Sequence, residues 1–230
     1  MSDESLIRAK IEEITGIGRL DLIWRDELGG TTWYANDVFV KWNPVTSGIE
    51  LVREVKRLRW LEGRHPAPVV VDFGRTRDAE WLITAALTGE SAVAPRWKER
   101  PFEAVNAIAD GLRALHTIDT ESFPTEWSSE SWVNCDPGKT LMPPSADVEV
   151  LVHGDACSPN TIVSSEGHWV GNVDFVDMAV GDRWADLAVA SMALEWNYGP
   201  GFEGVFFDAY GIERDNDRIE YYRRLWHEES

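Results

Sequence analysis

Apolar and polar residues alternate in short runs through the first third of the chain. Ile17–Trp24 and Thr31–Ala35 read as strands flanking a Gly29-Gly30 turn, and Val38–Trp42 follows as a third strand after Asn36-Asp37. The two-residue period puts Phe39 and Lys41 on one face of that strand, with Val38 and Val40 on the other. The period then changes. Leu51, Val55, Leu58 and Leu61 recur at helical spacing up to Gly63, which suits a helix end. Residues 66–74 and 79–87 read as two further strands. Residues 101–116 read as a helix with Val105, Ile108, Leu112 and Leu115 on one stripe. Residues 117–147 are rich in Pro, Ser and Asp, lack periodicity and read as mostly irregular. A strand over 148–152 leads into a loop at 153–160, then a hairpin over 161–174. Residues 182–226 read as helical, interrupted near Asn197-Tyr198-Gly199-Pro200. The pattern predicts an α+β fold of two lobes with a cleft between them: a small antiparallel-sheet lobe over residues 1–86 and a mainly helical lobe over 87–230.

Composition narrows the class. The chain has 230 residues, of which 43% are apolar and 27% charged, as in an ordinary globular protein. No uncharged run approaches the roughly 18 residues that a membrane span needs, and the opening MSDESLIRAK has no apolar signal core, so no membrane association is expected. Cys135 and Cys157 make no disulfide framework, which predicts reduced thiols and a cytoplasmic setting. A net charge of −18 opposes binding to nucleic acid and suits a cationic partner, although it also suits a merely well-solvated surface.

The candidate chemistry lies in His153-Gly154-Asp155-Ala156-Cys157-Ser158-Pro159-Asn160 and in Asp174. A hairpin over 161–173 returns the chain beside its start, which brings Asn160 and Asp174 together near Asp155. Asn160 and Asp174 are hard oxygen ligands suited to Mg2+, which takes few protein ligands. Asp155 is left to accept a proton from a hydroxyl nucleophile, the division of labour in phosphoryl transfer. Upstream, Lys41 ends a strand that follows a Gly-rich turn, and Glu54 lies thirteen residues later on the next helix. A lysine so held can contact nucleotide phosphates. The plainer readings are a turn-capping Asp155, a packing His153 and a surface Lys41.

With these elements in order, the chain resembles the aminoglycoside phosphotransferases, especially the 3′-type enzymes, within the protein-kinase-like superfamily. The similarity is carried by LGGTTW, VFVKW, REVKRLRWL, WLITAAL, GLRALHTID, LVHGDACSPNTIV, VDF, GDRWADLA, EWNYGPG and YYRRLW. The resemblance implies a two-lobed kinase-like fold with residues 1–86 binding the nucleotide, ATP and Mg2+ as cofactors, and Asp155 as catalytic base. Asn160 and Asp174 would hold magnesium, Lys41 would contact phosphates, and Glu54 would fix Lys41. Gly29, Gly30, Thr31 and Thr32 resemble the loop over the triphosphate, Phe39 the residue stacked on adenine, and Thr84 to Ala86 the hinge whose backbone bonds adenine. Asp186 resembles a carboxylate that braces the catalytic loop. The implied acceptor is a polycationic aminoglycoside, with Asp155, Asp177, Glu195 and Glu228 as candidate contacts.

The chain departs from the family pattern in three places. The segment between His116 and His153 is short, Val176 stands where Gly is usual after the metal aspartate, and the tail YYRRLWHEES differs. Val176 predicts altered loop geometry, because a β-branched residue disfavours unusual backbone angles. The expected activity is transfer of the γ-phosphoryl group of ATP to an aminoglycoside hydroxyl, conferring resistance. The alternatives are a kinase of another small hydroxylated molecule (a macrolide, choline or a sugar amine) and a nucleotide-binding pseudokinase.

Overall fold

A computed structural model describes residues 3–135 and 144–229. The chain forms two compact units. The first comprises residues up to Trp60 together with Pro68–Ala86, and the second comprises Leu61–Ala67 and everything from Leu87 onward. The segment 61–67 therefore joins the second unit although it lies within the first 86 residues.

The first unit opens with helix α1 (Asp3–Thr15), which the strand pattern did not predict. Five antiparallel strands follow: β1 (Asp21–Arg25), β2 (Thr31–Ala35), β3 (Val38–Pro44), β4 (Val70–Arg75) and β5 (Ala79–Ala85), in the order β1-β2-β3-β5-β4. Helix α2 (Leu51–Leu61) connects β3 to β4. Strand alternation sorts the sheet's residues by face. Trp33, Ala35, Val40, Trp42 and Ile83 form a core with Ile11 of α1. Lys41 pairs across the ladder with Thr32 and Leu82, and Phe39 with Tyr34 and Thr84, all on the opposite face. Helix α2 buries Leu51, Val55, Leu58 and Leu61, the stripe its spacing predicts. Its first turn is tied to β5, where Glu80 Oε2 accepts the Leu51 N–H at 2.8 Å.

The second unit carries a two-stranded sheet, β7 (Glu149–Val152) with β10 (Ala179–Asp182), and a three-stranded sheet, β6 (Glu90–Ser91), β8 (Thr161–Val163) and β9 (Trp169–Asn172). Its helices are α3 (Pro95–Lys98), α4 (Pro101–Leu115), α5 (Thr125–Ser129), α6 (Trp184–Tyr198), α7 (Glu203–Tyr210) and α8 (Asn216–Glu229). The break near Pro200 falls between α6 and α7 as expected. Within 117–135, read as irregular, the chain makes α5 and a single 3-10 turn at Trp132–Asn134. Helix α6 is buried on every side from Trp184 to Leu194, as its nearly uninterrupted apolar run requires. Around it pack Val105, Ile108 and Leu112 of α4, Phe206 and Phe207 of α7, and Ile219 and Leu225 of α8. Among the described residues, no helix is long and apolar enough to cross a membrane.

Candidate active site

In the first unit, β3 presents Lys41 to α2. The Lys41 Nζ donates to both carboxylate oxygens of Glu54, at 2.9 and 2.8 Å. Glu54 is only 3% exposed and Lys41 24% exposed. A buried carboxylate is tolerated because a cation satisfies both of its oxygens, and removing the lysine would strand an uncompensated charge. Lys41 is thus not a loosely solvated surface lysine.

The Gly-rich turn differs from expectation. Asp26 organises it from within: its Oδ1 accepts the N–H groups of Leu28 and Gly30, each at 2.8 Å, and its carbonyl accepts the Gly29 N–H at 3.4 Å. The amides of Gly29 and Gly30 therefore already have an oxygen partner. The Thr31 hydroxyl faces the core, accepting from Trp33 Nε1 at 2.9 Å, while Thr32 stands opposite Lys41. Phe39 lies on the Lys41 face beside Tyr34, ring centroids 5.0 Å apart, with Thr84 across the ladder. Ala86 donates its N–H to the Asp37 carbonyl at 2.9 Å. That donor is spent, and only the Ala86 carbonyl suits a purine amino group.

In the second unit, strand β7 delivers the loop 153–160. Gly154 sits at φ +83°, and a Cβ there would lie 2.3 Å from the Asp177 carbonyl oxygen. Only glycine fits this close approach. His153 is fully buried: its Nδ1 accepts the Asp155 N–H at 3.3 Å and its Nε2 bonds the Val173 carbonyl at 3.0 Å. A carbonyl only accepts, so the ring carries its proton on Nε2. His153 is a scaffold residue, as its plainer reading held.

The hairpin then closes as the spacing predicts. Thr161 pairs with Asn172, and the Val173 N–H donates to the Asn160 carbonyl at 3.0 Å. Asn160 Nδ2 donates to both Asp155 O and Asp155 Oδ2, each at 2.9 Å. Asp155 Oδ1 is buried and accepts no hydrogen bond among the described residues. Asp174 follows directly after the Asn160–Val173 bond, with φ +68°. The left-handed conformation thus falls on an aspartate, which tolerates it better than most residues. Val176 has no positive φ, in keeping with the avoidance of such angles by a β-branched residue, and the left-handed residue of this loop is Asp174. Phe175, fully buried, packs against His153 with ring centroids 4.6 Å apart.

The oxygens fit a magnesium ion. With Nδ2 of Asn160 committed to Asp155, its Oδ1 accepts nothing among the described residues and is free for a cation. Asp174 is the next residue after the Val173–Asn160 bond that closes the hairpin, so the chain brings it back beside Asn160. Among the described residues, no group of three His, Cys, Asp or Glu forms a closed metal cage. An ion that keeps water and phosphate in its shell does not need one. Burial raises the Cys157 thiol pKa strongly, and the charges of Asp155 and Asp174 raise it further. The Cys157 thiol therefore stays protonated at neutral pH.

Several supporting residues carried little or no sequence signal. Asp186 was legible only by resemblance; its Oδ2 accepts the His153 N–H at 2.6 Å and its Oδ1 the Gly154 N–H at 3.0 Å. His116 Nε2 also bonds Asp186 Oδ2 at 3.0 Å, and its Nδ1 meets the Tyr210 hydroxyl at 2.7 Å. Trp132 Nε1 donates to the Gly154 carbonyl at 2.6 Å, and Ser131 Oγ to the Asp177 carbonyl at 2.7 Å. Asp177 therefore lies against the loop. Glu195 and Glu228 do not join this network. Both are exposed, and Glu195 stands nine residues along α6 from Asp186, about 14 Å at 1.5 Å per residue.

The second unit thus places Asp155, Asn160 and Asp174 at one end of a hairpin, and the first unit holds Lys41 on Glu54, the order of groups seen in phosphoryl-transfer proteins of the kinase-like class. The sequence profile of the phosphotransferase enzyme family matches residues 30–140 and 139–223, and the chain belongs to that family. It is 32% identical over 220 residues to an aminoglycoside 3′-phosphotransferase of Streptomyces fradiae, covering 79% of this chain and 81% of that one. The crystal structure of a type VIII aminoglycoside-3′-phosphotransferase superposes with a TM-score of 0.76 at 24% identity, covering 99% of this chain and 98% of that one. An aminoglycoside phosphotransferase of Streptomyces rimosus, in complex with ADP and streptomycin, superposes with a TM-score of 0.72 at 22% identity, with 98% of both chains covered.

Gly154→Ala is expected to cost about 3 kcal/mol or more in urea unfolding, because a Cβ must displace the Asp177 backbone; an unchanged midpoint refutes the close approach. Burial of His65 supplies a pH dependence, since its pKa is lowered from 6.5 to about 4. Between those values the unfolded chain binds the proton first, so stability falls as pH drops from 6.5 towards 4, by at most ~1.4 kcal/mol per pH unit. Urea midpoints at pH 7.5 and 5 should therefore separate more for the natural protein than for His65→Leu.

Proposed function

We propose that the chain transfers the γ-phosphoryl group of ATP to a hydroxyl of an aminoglycoside, most readily the 3′-hydroxyl, and so confers resistance. The observation that carries the reading is Asp155: one oxygen is held by Asn160 and the other is buried with no hydrogen bond among the described residues. A substrate hydroxyl is the donor that Oδ1 lacks. In this reading Asp155 orients the hydroxyl and takes its proton as the acceptor oxygen bonds to the γ-phosphorus. The bond from that phosphorus to the bridging oxygen breaks, and ADP leaves with the electron pair. Lys41, held by Glu54, offsets negative charge on the phosphates. Asn160 and Asp174 would hold magnesium, which supplies further charge neutralisation on the triphosphate.

Phe39, Thr84 and the Ala86 carbonyl are assigned to the adenine side, and Thr32 and the turn at Gly29-Gly30 to the phosphate side. Asp177, against the catalytic loop, is the better-supported acceptor contact, with Glu195 and Glu228 peripheral. The charge of −18 suits a polycationic acceptor and disfavours nucleic acid. A cytoplasmic setting agrees with use of ATP and with two cysteines that form no disulfide among the described residues.

A coupled ADP-release assay over kanamycin-, neomycin- and streptomycin-type compounds tests the activity, and silence across the panel refutes it. Asp155→Asn should keep nucleotide binding by calorimetry yet lose at least ~100-fold in kcat, in line with general-base contributions; turnover near that of the natural protein removes Asp155 as base. Asp174→Ala should raise the magnesium concentration needed for half-maximal rate and lower kcat together. An unaltered magnesium titration ends its assignment as a ligand.

A further inference from the structure

The hairpin that carries Asn160 and Asp174 is held by a buried polar cluster that the chemistry described so far does not use. Its centre is Asn172, only 2% exposed. Trp169 Nε1 donates to Asn172 Oδ1 at 3.0 Å, and an indole nitrogen can only donate, so the acceptor end of the amide is fixed. Asn172 Nδ2 faces Thr161 Oγ1 at 3.3 Å and the Asn160 carbonyl at 3.5 Å, which agrees with that orientation. His65 Nε2 lies 3.1 Å from the same Oδ1 and must therefore carry the proton. The Asn172 N–H donates to the Pro66 carbonyl at 3.1 Å, so the segment 61–67 grips this residue by both backbone and side chain. His65 also meets Phe175 edge-on, ring centroids 5.9 Å apart, immediately after Asp174.

These contacts surround the metal pair without touching its ligating oxygens. The Asn172 amide spans the two hairpin strands at the level where Asn160 leaves one and Asp174 the other. We infer that His65 is a positioning residue for the metal-binding hairpin: by donating to Asn172 it fixes the spacing of Asn160 and Asp174. Residues that orient metal ligands from behind typically change metal affinity about 10- to 100-fold when removed. A residue that only filled space would change stability and leave affinity alone. The inference rests on the reading of Asn160 and Asp174 as magnesium ligands.

The test measures binding of Mn2+, as a paramagnetic substitute for Mg2+, to the full chain with ADP by electron paramagnetic resonance, without turnover. His65→Leu should weaken Mn2+ binding by about tenfold, and His65→Gln, which keeps a donor, should recover most of it. Thr161→Val, nearly isosteric, should weaken binding in the same direction. If His65→Leu binds Mn2+ within twofold of the natural protein, or if His65→Gln is as weak as His65→Leu, the positioning role is overturned. If His65→Leu does not fold, unchanged binding by Thr161→Val overturns it. If the natural protein with ADP lowers the free-Mn2+ signal no further than ADP alone does, the metal reading itself ends, and this inference with it.

Discussion

The loop over residues 153–160 depends on one buried carboxylate. Asp186, 1% exposed, accepts consecutive backbone N–H groups of His153 and Gly154 and the ring of His116. Gly154 occupies the left-handed region, so its local ladder cannot supply those partners. Without Asp186 two loop amides would be buried unpaired, at about 1–3 kcal/mol each. The same carboxylate fixes where Asp155 begins, because the loop leaves β7 through these residues. The long apolar helix α6 makes this possible by carrying Asp186 in its first turn on a rigid, fully enclosed element.

The first unit meets a related problem with opposite charges. Glu54 is buried against Lys41, and each makes the other tolerable. The glycine turn is also closed on itself, by Asp26. A phosphate competing for those amides would meet a carboxylate already in place. Glu54 sets the direction of the Lys41 ammonium while offsetting part of its charge.

Much of this was legible in the chain because periodicity and spacing report on single elements. The strand alternation placed Phe39 and Lys41 on one face, and the stripe Leu51–Val55–Leu58–Leu61 gave α2 its buried side. The stretch between Asn160 and Asp174 gave the hairpin. Helix α1 was obscure because its apolar residues are few and two of them, Leu6 and Ile14, stay exposed. Strand β10 is a four-residue piece whose partner, β7, lies some thirty residues earlier, a distance no local pattern spans. Placement of 61–67 with the second unit depends on tertiary bonds to Asn172, which composition cannot reveal. Asp26 and His116 each have an ordinary local reading, as a turn former and a helix C-cap, and their further bonds appear only in three dimensions. Val176 keeps out of the left-handed region, as its β-branch requires, and the positive φ falls two residues earlier, on Asp174.

The site combines satisfied and unsatisfied polar groups in a way that assigns their roles. Asp186 and Asn172 are saturated, and each bond they accept or donate fixes a backbone segment or a neighbouring side chain. Asp155 differs, since Asn160 occupies one oxygen and the other is buried with no donor among the described residues. Folding normally removes such orphans, because they cost about as much as a lost hydrogen bond. The Asn160 bond prevents the carboxylate from rotating to find another donor. A hydroxyl donor at Oδ1 would satisfy that oxygen, which is the arrangement the proposed role of Asp155 requires.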